Sequence, residues 1–228
     1  MLETLDKLNI ASLKGVGAKT LERLGKLGLH TVQDLLFHLP ARYEDRSALT
    51  PLGYLKVGDH ALVEALVELT EVVPKGRRSL VCRISDGTGS LYLRFFHFSA
   101  DHLSRLKPGV RLRCYGEARE GYYGIEMVHP DYQYVADEDA GQIDNTLTPV
   151  YPLTEGLHQK TLRGLVDRTL ELCEAEGAGL RDWIPAELLA DLGFPSLLEA
   201  VRLLHKPPAG SGMEVLALAQ HRLAFEEL

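Results

Sequence analysis

The sequence is poor in cysteine and has no long apolar run. Only three of its 228 residues are cysteines, and Cys82, Cys114 and Cys173 lie far apart. Isolated cysteines provide neither a disulfide framework nor the paired spacing of a metal site, and they fit a reducing cytoplasm. No segment approaches the roughly 18 apolar residues of a membrane span, and no signal-peptide core is present at the N-terminus. We therefore expect a cytoplasmic protein without a membrane partner, with Cys82 and Cys114 buried in strands.

Motifs of the common catalytic sites are also absent. The segment Gly15-Val-Gly-Ala-Lys-Thr20 is too short for a phosphate-binding loop, and no His-Glu-x-x-His, Gly-x-Ser-x-Gly or Cys-x-x-Cys pattern occurs. His97 and His102 lie close in sequence, but two histidines alone make a poor metal site. These absences predict a chain with no catalytic residues, no metal and no cofactor of its own.

The chain also lacks a positive net charge, since its formal charge is −7. This value argues against a general nucleic-acid binder. The charge is unevenly distributed, however, because residues 72–119 contain ten basic and three acidic side chains, a local charge of +7 that leaves −14 for the remainder. A basic segment within an acidic chain is typical of localised phosphate contact, although some of these arginines are expected to be simply solvated.

Short strand-like segments fill the middle of the chain. Their apolar residues alternate or run together, and they are separated by turn signals such as Ser85-Asp-Gly-Thr-Gly89 and Glu120-Gly121. Strands are predicted over residues His60–Val73, Leu80–Ile84, Ser90–Phe98, Val110–Arg119 and Tyr122–Val135, with one short helix over Ser99–Leu106. The order β-β-β-α-β-β predicts a five-stranded OB-fold barrel, a fold used mostly for single-stranded nucleic acid or oligosaccharides.

The central predicted strand indicates where a ligand would bind. Because strand side chains alternate between faces, Leu91, Leu93 and Phe95 share the face that suits a barrel interior. The opposite face would then present an aromatic and cationic group made of Tyr92, Arg94, Phe96 and Phe98. Nucleic-acid bases stack on such rings, each worth about 1–3 kcal/mol, and arginine holds phosphates. Either phenylalanine alone could equally pack beneath a neighbouring element, but the group as a whole favours nucleic acid.

Helical patterns precede the barrel. Leucines at spacing three predict a helix over residues 1–10, Gly15-Val-Gly17 opens a second helix, and Thr31 with Asp34 forms the capping box of a third. The glycine turn resembles a helix-hairpin-helix, in which backbone N–H groups meet a DNA phosphate, so Gly15, Gly17 and Lys19 are candidate phosphate contacts. A plain packing element is the alternative.

Helical patterns also follow the barrel, after an acidic segment at residues 136–141. Helices are predicted over residues 158–174, 185–192, 196–204 and 213–228, the first with a buried stripe of Leu162, Leu165, Val166, Leu170 and Cys173. The last helix ends without a cap, so we expect a longer protein to continue beyond it. The predicted fold is α+β, with a helical segment (1–50), an OB-fold barrel (51–136), a linker (137–157) and a second helical segment (158–228).

Several blocks resemble one known family. They are Leu13-Lys-Gly-Val-Gly17, His30 to Arg46, Arg94-Phe-Phe-His-Phe98, Tyr115-Gly-Glu-Ala-Arg119, Met127-Val-His-Pro-Asp131 and Val150-Tyr-Pro-Leu-Thr-Glu-Gly-Leu157. In this order they resemble the N-terminal region of bacterial RecG, an ATP-dependent DNA helicase of repair and recombination, over nearly the whole chain. The resemblance implies an OB-fold wedge domain that binds the branch point of replication forks and Holliday junctions. It also implies a motor with ATP and Mg²⁺ sites beyond Leu228, so this chain alone is expected to have no helicase activity.

The resemblance further implies that an aromatic residue stacks on bases at the branch, and the matching motif here is Arg94 to Phe98. Together with the alternation and charge patterns, it predicts DNA contacts by Lys75, Arg77, Arg78, Tyr92, Arg94, Phe96, Phe98, Arg111, Arg113 and Arg119. The expected partners are branched DNA and the protein's own motor domains, with the chain a monomer. One alternative is a protein-interaction scaffold that uses the OB-fold face, and another is an OB module for RNA or oligosaccharide.

Overall fold

The computed structural model describes residues 4–74, 78–143, 145–176 and 180–226. The chain divides into two compact units. The described residues of Arg46–Asp144 form one unit, which we call the sheet unit. Those of Met1–Asp45 and Asn145–Leu228 form the other, the helical unit. The predicted α+β class is confirmed, and the segments before and after the sheet unit share one core that the sequence did not reveal.

Helices and strands alternate in blocks along the described chain. The helices are α1 (Ala18–Lys26), α2 (Val32–Phe37), α3 (Ala100–Arg105), α4 (Gln159–Glu176), α5 (Ala186–Leu192), α6 (Leu197–His205) and α7 (Met213–Glu226). The strands are β1 (Arg42–Glu44), β2 (His60–Val73), β3 (Ser79–Ser85), β4 (Ser90–Phe95), β5 (Arg111–Gly121), β6 (Gly124–Val128), β7 (Asp131–Tyr134) and β8 (Thr148–Val150). Within the described ranges, none of the helices combines the length and the apolarity needed to cross a lipid bilayer.

The sheet unit is built on six strands. Antiparallel pairs join β2 to β3 and β3 to β4, and a parallel pair joins β4 to β6. Strand β6 pairs antiparallel with β5, and β5 pairs antiparallel with β2. The series of hydrogen-bonded strand pairs therefore begins and ends at β2. Strand β7 pairs antiparallel with the first half of β5, whereas β6 pairs with its second half. The helix α3 lies in sequence between β4 and β5, as the pattern predicted.

The predicted alternation on the central strand is confirmed for the interior face of β4. Leu91, Leu93 and Phe95 are all buried, and they pack with apolar residues of β2, β3, β5 and β6. Cys82 and Cys114 are buried in the same cluster, as expected for free thiols in strands. This interior is formed by side chains at every second position, which is the pattern that identified the strands.

Two predicted strands are longer than the observed ones. The prediction of one strand over Tyr122–Val135 is wrong, because the chain breaks into β6 and β7 at His129 and Pro130. Proline has no N–H to donate, and His129 adopts a positive φ of 48°, which a regular strand does not allow. The prediction that β4 reaches Phe98 is also wrong, since the strand ends at Phe95. Phe96 and Phe98 therefore belong to the loop before α3.

Residues 1–3 of the first predicted helix lie outside the described residues, and over residues 4–10 the structure does not form an α-helix. Residues 5–7 make a turn, and a short 3₁₀ helix follows at Ile10–Ser12. The backbone here bonds to another part of the unit instead: the N–H groups of Val32 and Gln33 donate to the carbonyls of Leu8 and Leu5. The side chain of Leu5 is nevertheless buried, because leucines at spacing three also share one side of such a turn.

The remaining helix predictions agree with the helical unit. Thr31 and Asp34 form the capping box of α2, and Ser196 with Glu199 forms a second one at α6. All five members of the predicted stripe on α4 are buried. They pack against Leu35 and Leu36 of α2, which joins the two ends of the described chain in one core.

Residues 137–157, predicted as a linker, contain two short ordered elements. A 3₁₀ helix covers Asp137–Asp139, in the sheet unit. Strand β8 pairs antiparallel with β1 in the helical unit, with Arg42 opposite Val150 and Glu44 opposite Thr148. The residues on either side of the sheet unit in sequence are therefore hydrogen-bonded to each other.

Candidate nucleic-acid interface

The outer face of β4 carries Tyr92 and Arg94. The Arg94 guanidinium donates from Nε to Glu126 Oε2 at 2.9 Å and from Nη1 to Ser79 Oγ at 3.0 Å. The Arg94 side chain is 14% exposed, and the Glu126 side chain is buried to a similar degree. Because the parallel pair of β4 and β6 brings Glu126 beside Arg94, this ion pair connects the two strands across the outer face. A phosphate contact by Arg94 would require exchange of its carboxylate partner.

The loop after β4 is held by His129. The Phe96 N–H donates to His129 Nε2 at 3.1 Å, and the His129 N–H donates to the Arg94 carbonyl at 2.9 Å. The His129 ring lies 5.7 Å from the Phe96 ring and stacks on His97 at 5.9 Å. The positive φ of His129 turns its ring toward this loop, so the break between β6 and β7 fixes the start of the Phe96–Phe98 segment.

Phe98 points inward more than the prediction assumed. It is partly buried and packs against the apolar interior of the sheet unit. The Arg78 guanidinium carbon lies 5.1 Å from the centroid of its ring, which is a cation–π distance. Phe96 is half-buried and, unlike Phe98, is not part of the apolar interior cluster.

Arg111 and Arg113 belong to an ion-pair network around Glu64. The Arg113 guanidinium donates two hydrogen bonds to Glu64 Oε2, at 3.0 and 2.6 Å. Arg111 lies 3.9 Å from Glu64 Oε1 and donates to Asp137 Oδ1 at 3.2 Å, while the Gly141 N–H donates to the same glutamate. The acidic segment after β7 therefore contacts two of the predicted phosphate-binding arginines.

The other predicted basic residues differ in position. Arg119 is exposed on β5 and donates to Glu117 Oε2 on the same strand. Lys75 and Arg77 lie outside the described residues. In the helical unit, Gly17 caps α1 and Lys19 is exposed in its first turn. The DNA contacts of all these residues stay predictions.

The Gly15 turn has a clear structural role. Gly15 has a φ of 99°, and a Cβ atom there would lie 2.8 Å from Arg168 Nη1. That same Arg168 nitrogen of α4 donates to the Lys14 carbonyl at 2.5 Å. Glycine at this position thus lets an arginine of α4 cover the turn, which supports the packing role that the sequence left open.

The exposed tyrosines at the tip of the β5–β6 hairpin were not predicted from the sequence. Register pairs Gly121 with Gly124, so Tyr122 and Tyr123 form a two-residue turn. Tyr122 is 87% exposed and Tyr123 is 45% exposed. The Tyr123 ring lies 5.5 Å from Tyr92 on β4 and 4.9 Å from Tyr122. The Gly-Tyr-Tyr-Gly sequence, with glycine on each side, is the signal that could have identified this turn.

The end of the sheet next to α3 carries a cluster of aromatic rings. The His102 ring stacks on Tyr132 at 5.5 Å and meets the edge of Phe95 at 4.6 Å. Burial lowers the pKa of His102 and, together with the neighbouring Tyr134, raises the pKa of Tyr132 to about 12. Both side chains are therefore neutral near pH 7, and this cluster packs as part of the core rather than as a cationic surface.

Comparison with known proteins identifies the family. Residues 9–173 match the family model described as the RecG wedge domain. The chain belongs to the RecG wedge domain family, which confirms the resemblance seen in the sequence.

Its relatives include the ATP-dependent DNA helicase RecG of Escherichia coli strain K12, which is 46% identical over 98% of this chain and 32% of its own length. The RecG of Pasteurella multocida is 42% identical over 100% of this chain and 33% of its own. The chain thus spans about a third of the length of these relatives.

A solved structure of RecG bound to a three-way DNA junction matches the whole chain. It superposes with a TM-score of 0.77 and 25% identity, over 100% of this chain and 30% of that one. Both units of the present structure therefore have counterparts in a solved RecG chain.

Proposed function

We propose that this chain is the wedge of a longer ATP-dependent DNA helicase and binds branched DNA at the point where duplex arms separate. The observation that carries the proposal is the match of the entire chain to RecG bound to a three-way junction. The 46% identity with an ATP-dependent DNA helicase supports the same assignment. In this view the chain takes part in DNA repair and recombination in the cytoplasm, as a monomer joined to motor domains that hold ATP and Mg²⁺.

We also infer that the sheet unit is an OB-fold barrel formed by β2, β3, β4, β5 and β6. The order β-β-β-α-β-β supports this inference, as does the sequence of pairs that leads back to β2. The parallel contact of β4 with β6, between the third and fifth barrel strands, fits the same fold. Strand β7 is then an additional strand that pairs with β5 and is not one of the five barrel strands.

The proposed mechanism is passive. Phe96, held at the end of β4 by His129, would stack on the last base pair at the branch and compensate for the stacking lost there. Arg78 and Arg119 would contact the phosphates of the separating arms. Lys75 and Arg77, which precede Arg78 in sequence, would contact phosphates as well. Arg94, Arg111 and Arg113 would join them only by exchanging a carboxylate for a phosphate. Unpairing costs around 1.4 kcal/mol per step, so the wedge holds the branch while a motor does the work.

Fluorescence anisotropy tests this proposal directly. The chain is titrated into a three-way junction, a plain duplex and a single strand of matched length, at two salt concentrations. We expect a preference for the junction that Phe96→Ala weakens by about fivefold or more, the loss of one stacked base. Phe37→Ala is the matched control, because Phe37 is 39% exposed on α2 in the helical unit.

Equal binding to all three DNAs would contradict the branch-point function. If Arg94→Ala and Phe96→Ala both left DNA binding unchanged, the sheet face would instead serve a protein partner, which is the scaffold alternative. A preference for RNA would indicate 2′-hydroxyl contacts and a different module.

A further inference from the structure

We propose that Tyr92, Tyr122 and Tyr123 form a stacking platform for the unpaired bases of single-stranded DNA, separate from the Phe96 loop. The inference rests on the proposed function, because it assumes that the sheet unit meets DNA at a branch. We call these three side chains the tyrosine platform.

The tyrosine platform is a connected group of rings at the tip of a hairpin. The Tyr123 ring lies 5.5 Å from Tyr92 and 4.9 Å from Tyr122, so the three rings touch in series. Because 87% of its surface is exposed, burial of the Tyr122 side chain contributes almost nothing to the stability of the fold. A tyrosine ring presents a large stacking surface and has only two side-chain torsions to order upon binding.

The glycines of the hairpin make room for this arrangement. A Cβ atom on Gly121 would lie 2.5–2.6 Å from the outer atoms of Glu126, whose side chain crosses that position. Glu126 is in turn held by Arg94 on β4. A Cβ atom on Gly124 would lie 3.9 Å from the Tyr92 ring, which leans over that glycine toward Tyr123. The ion pair and the two glycines together brace the hairpin against β4, and so they fix the platform.

Arginines flank the platform along one row of the outer face. Arg83 is opposite Tyr92, Tyr92 is opposite Glu126, and Glu126 is opposite Arg119. With strands about 4.8 Å apart, the two arginines lie on either side of Tyr92 within about 14 Å of each other. Both arginine side chains are about half exposed, and their carboxylate partners Glu68 and Glu117 are 45% and 35% exposed. Solvent-exposed pairs of this kind yield easily to a phosphate.

The platform lies along the same strand as the Phe96 loop. Tyr92 precedes Phe96 by four residues, which corresponds to about 13 Å along an extended chain. A DNA strand that separates from its partner at Phe96 would pass along the outer face of β4 and could then stack its unpaired bases on the tyrosines. The ligand class is therefore single-stranded DNA, recognised by ring stacking and phosphate contact without base-specific hydrogen bonds.

The test measures anisotropy of a fluorescein-labelled oligothymidylate with the full 228-residue chain. Combining Tyr122→Ala with Tyr123→Ala should weaken binding about tenfold or more, while the salt dependence stays the same because no charge is removed. Combining Tyr122→Phe with Tyr123→Phe should retain affinity, since the ring face remains. Tyr54→Ala is the matched control: Tyr54 is 75% exposed, at the end of the 3₁₀ helix Leu52–Tyr54 in the same unit.

A junction with fully duplex arms separates this inference from the proposed function. The double alanine variant should change junction affinity by less than about twofold, whereas Phe96→Ala should weaken it. If the junction is preferred but the alanine variant binds oligothymidylate as well as the unaltered chain, the tyrosine platform is refuted and the proposed function stands. Failure of the chain to bind the single strand at all also refutes the platform. Loss of the junction preference itself refutes the proposed function.

Discussion

Buried His205 connects hydrogen bonding in the helical unit to pH. Its Nε2 lies 2.9 Å from the Leu36 carbonyl and its Nδ1 lies 2.8 Å from the Tyr151 hydroxyl. A carbonyl can only accept, so Nε2 carries the proton and Nδ1 accepts from Tyr151. The neutral ring thus has both nitrogens satisfied inside the core, joining α6 to α2 and to the segment after β8.

The first prediction follows from this neutral histidine. Burial lowers the pKa of His205, so the unfolded chain takes up a proton at a higher pH than the folded one. The stability that depends on neutral His205 is therefore present above the ordinary histidine pKa of about 6.5 and is lost as the pH falls through the lowered pKa of the folded chain. Urea unfolding followed by the fluorescence of Trp183, the one tryptophan in the sequence, should show this loss in the helical unit.

Substitution of His205 tests whether this residue, rather than another titrating group, causes the loss of stability in acid. In His205→Asn, stability at pH 7 should fall, and the slope between pH 7 and 5 should become flatter. His221→Gln, which changes an exposed histidine on α7, should leave the slope unchanged. An unaltered slope in His205→Asn would show that another group causes the acid sensitivity.

The hairpin between β5 and β6 shows how much of an element depends on one glycine. Gly121→Ala would drive a Cβ atom into Glu126, which is held by Arg94. We expect the sheet unit to lose about 1–3 kcal/mol, as for other overpacked sites. Chemical denaturation monitored by circular dichroism measures the change. A free energy of unfolding within about 0.5 kcal/mol of the unaltered chain would mean that Glu126 moves aside freely.

Gly164→Ala should change the free energy of unfolding in the opposite direction from Gly121→Ala. Gly164 lies inside α4, and apart from its chain neighbours and the adjacent backbone of the helix no atom lies within 4 Å of the place where its Cβ would be. Alanine at an interior helix position is favoured over glycine, so this variant should gain about 0.5–1 kcal/mol.

Elements with a strong local signal could be read from the sequence. The strand His60–Val73, the capping box at Thr31, the helix that begins after Ser196 and the buried stripe of α4 all follow from short-range periodicity and capping chemistry. The break at His129 was missed although the neighbouring Pro130 is a local signal against one continuous strand. The end of β4 at Phe95 was misplaced because the Phe96 N–H donates to the side chain of His129, from a distant part of the sequence. No local pattern contains that contact.

The candidate site could be predicted only in part for the same reason. Residue types and charge pointed to Arg94, Arg111 and Arg113, but their carboxylate partners Glu126 and Glu64 come from other strands. Only the register of the sheet shows that these charges are already paired. Tyr122 and Tyr123 were missed because a hairpin turn was assumed to be part of a strand.

At the scale of the whole molecule, the chain belongs to the RecG wedge domain family and spans about a third of the length of its RecG relatives. We expect the isolated chain to bind forks but neither to hydrolyse ATP nor to unwind DNA, because its sequence contains no phosphate-binding loop. Phosphate release and strand-displacement assays on highly purified protein check this prediction, with a full-length RecG as the positive control. ATP hydrolysis that copurifies with the chain through successive columns would overturn it.

The pairing of β1 with β8 has a consequence for biosynthesis. The core of the helical unit joins residues 4–45 to residues 145–226, so about 100 residues must be translated between its two parts. At roughly 5–20 residues per second, the first part waits about 5–20 seconds on the ribosome with Ile10, Val32 and Leu35 uncovered. The sheet unit is continuous in sequence and can fold during that interval. A nascent chain whose sheet unit has left the ribosome before α4 emerges would therefore carry a folded sheet unit and an apolar segment still open to chaperones and proteases.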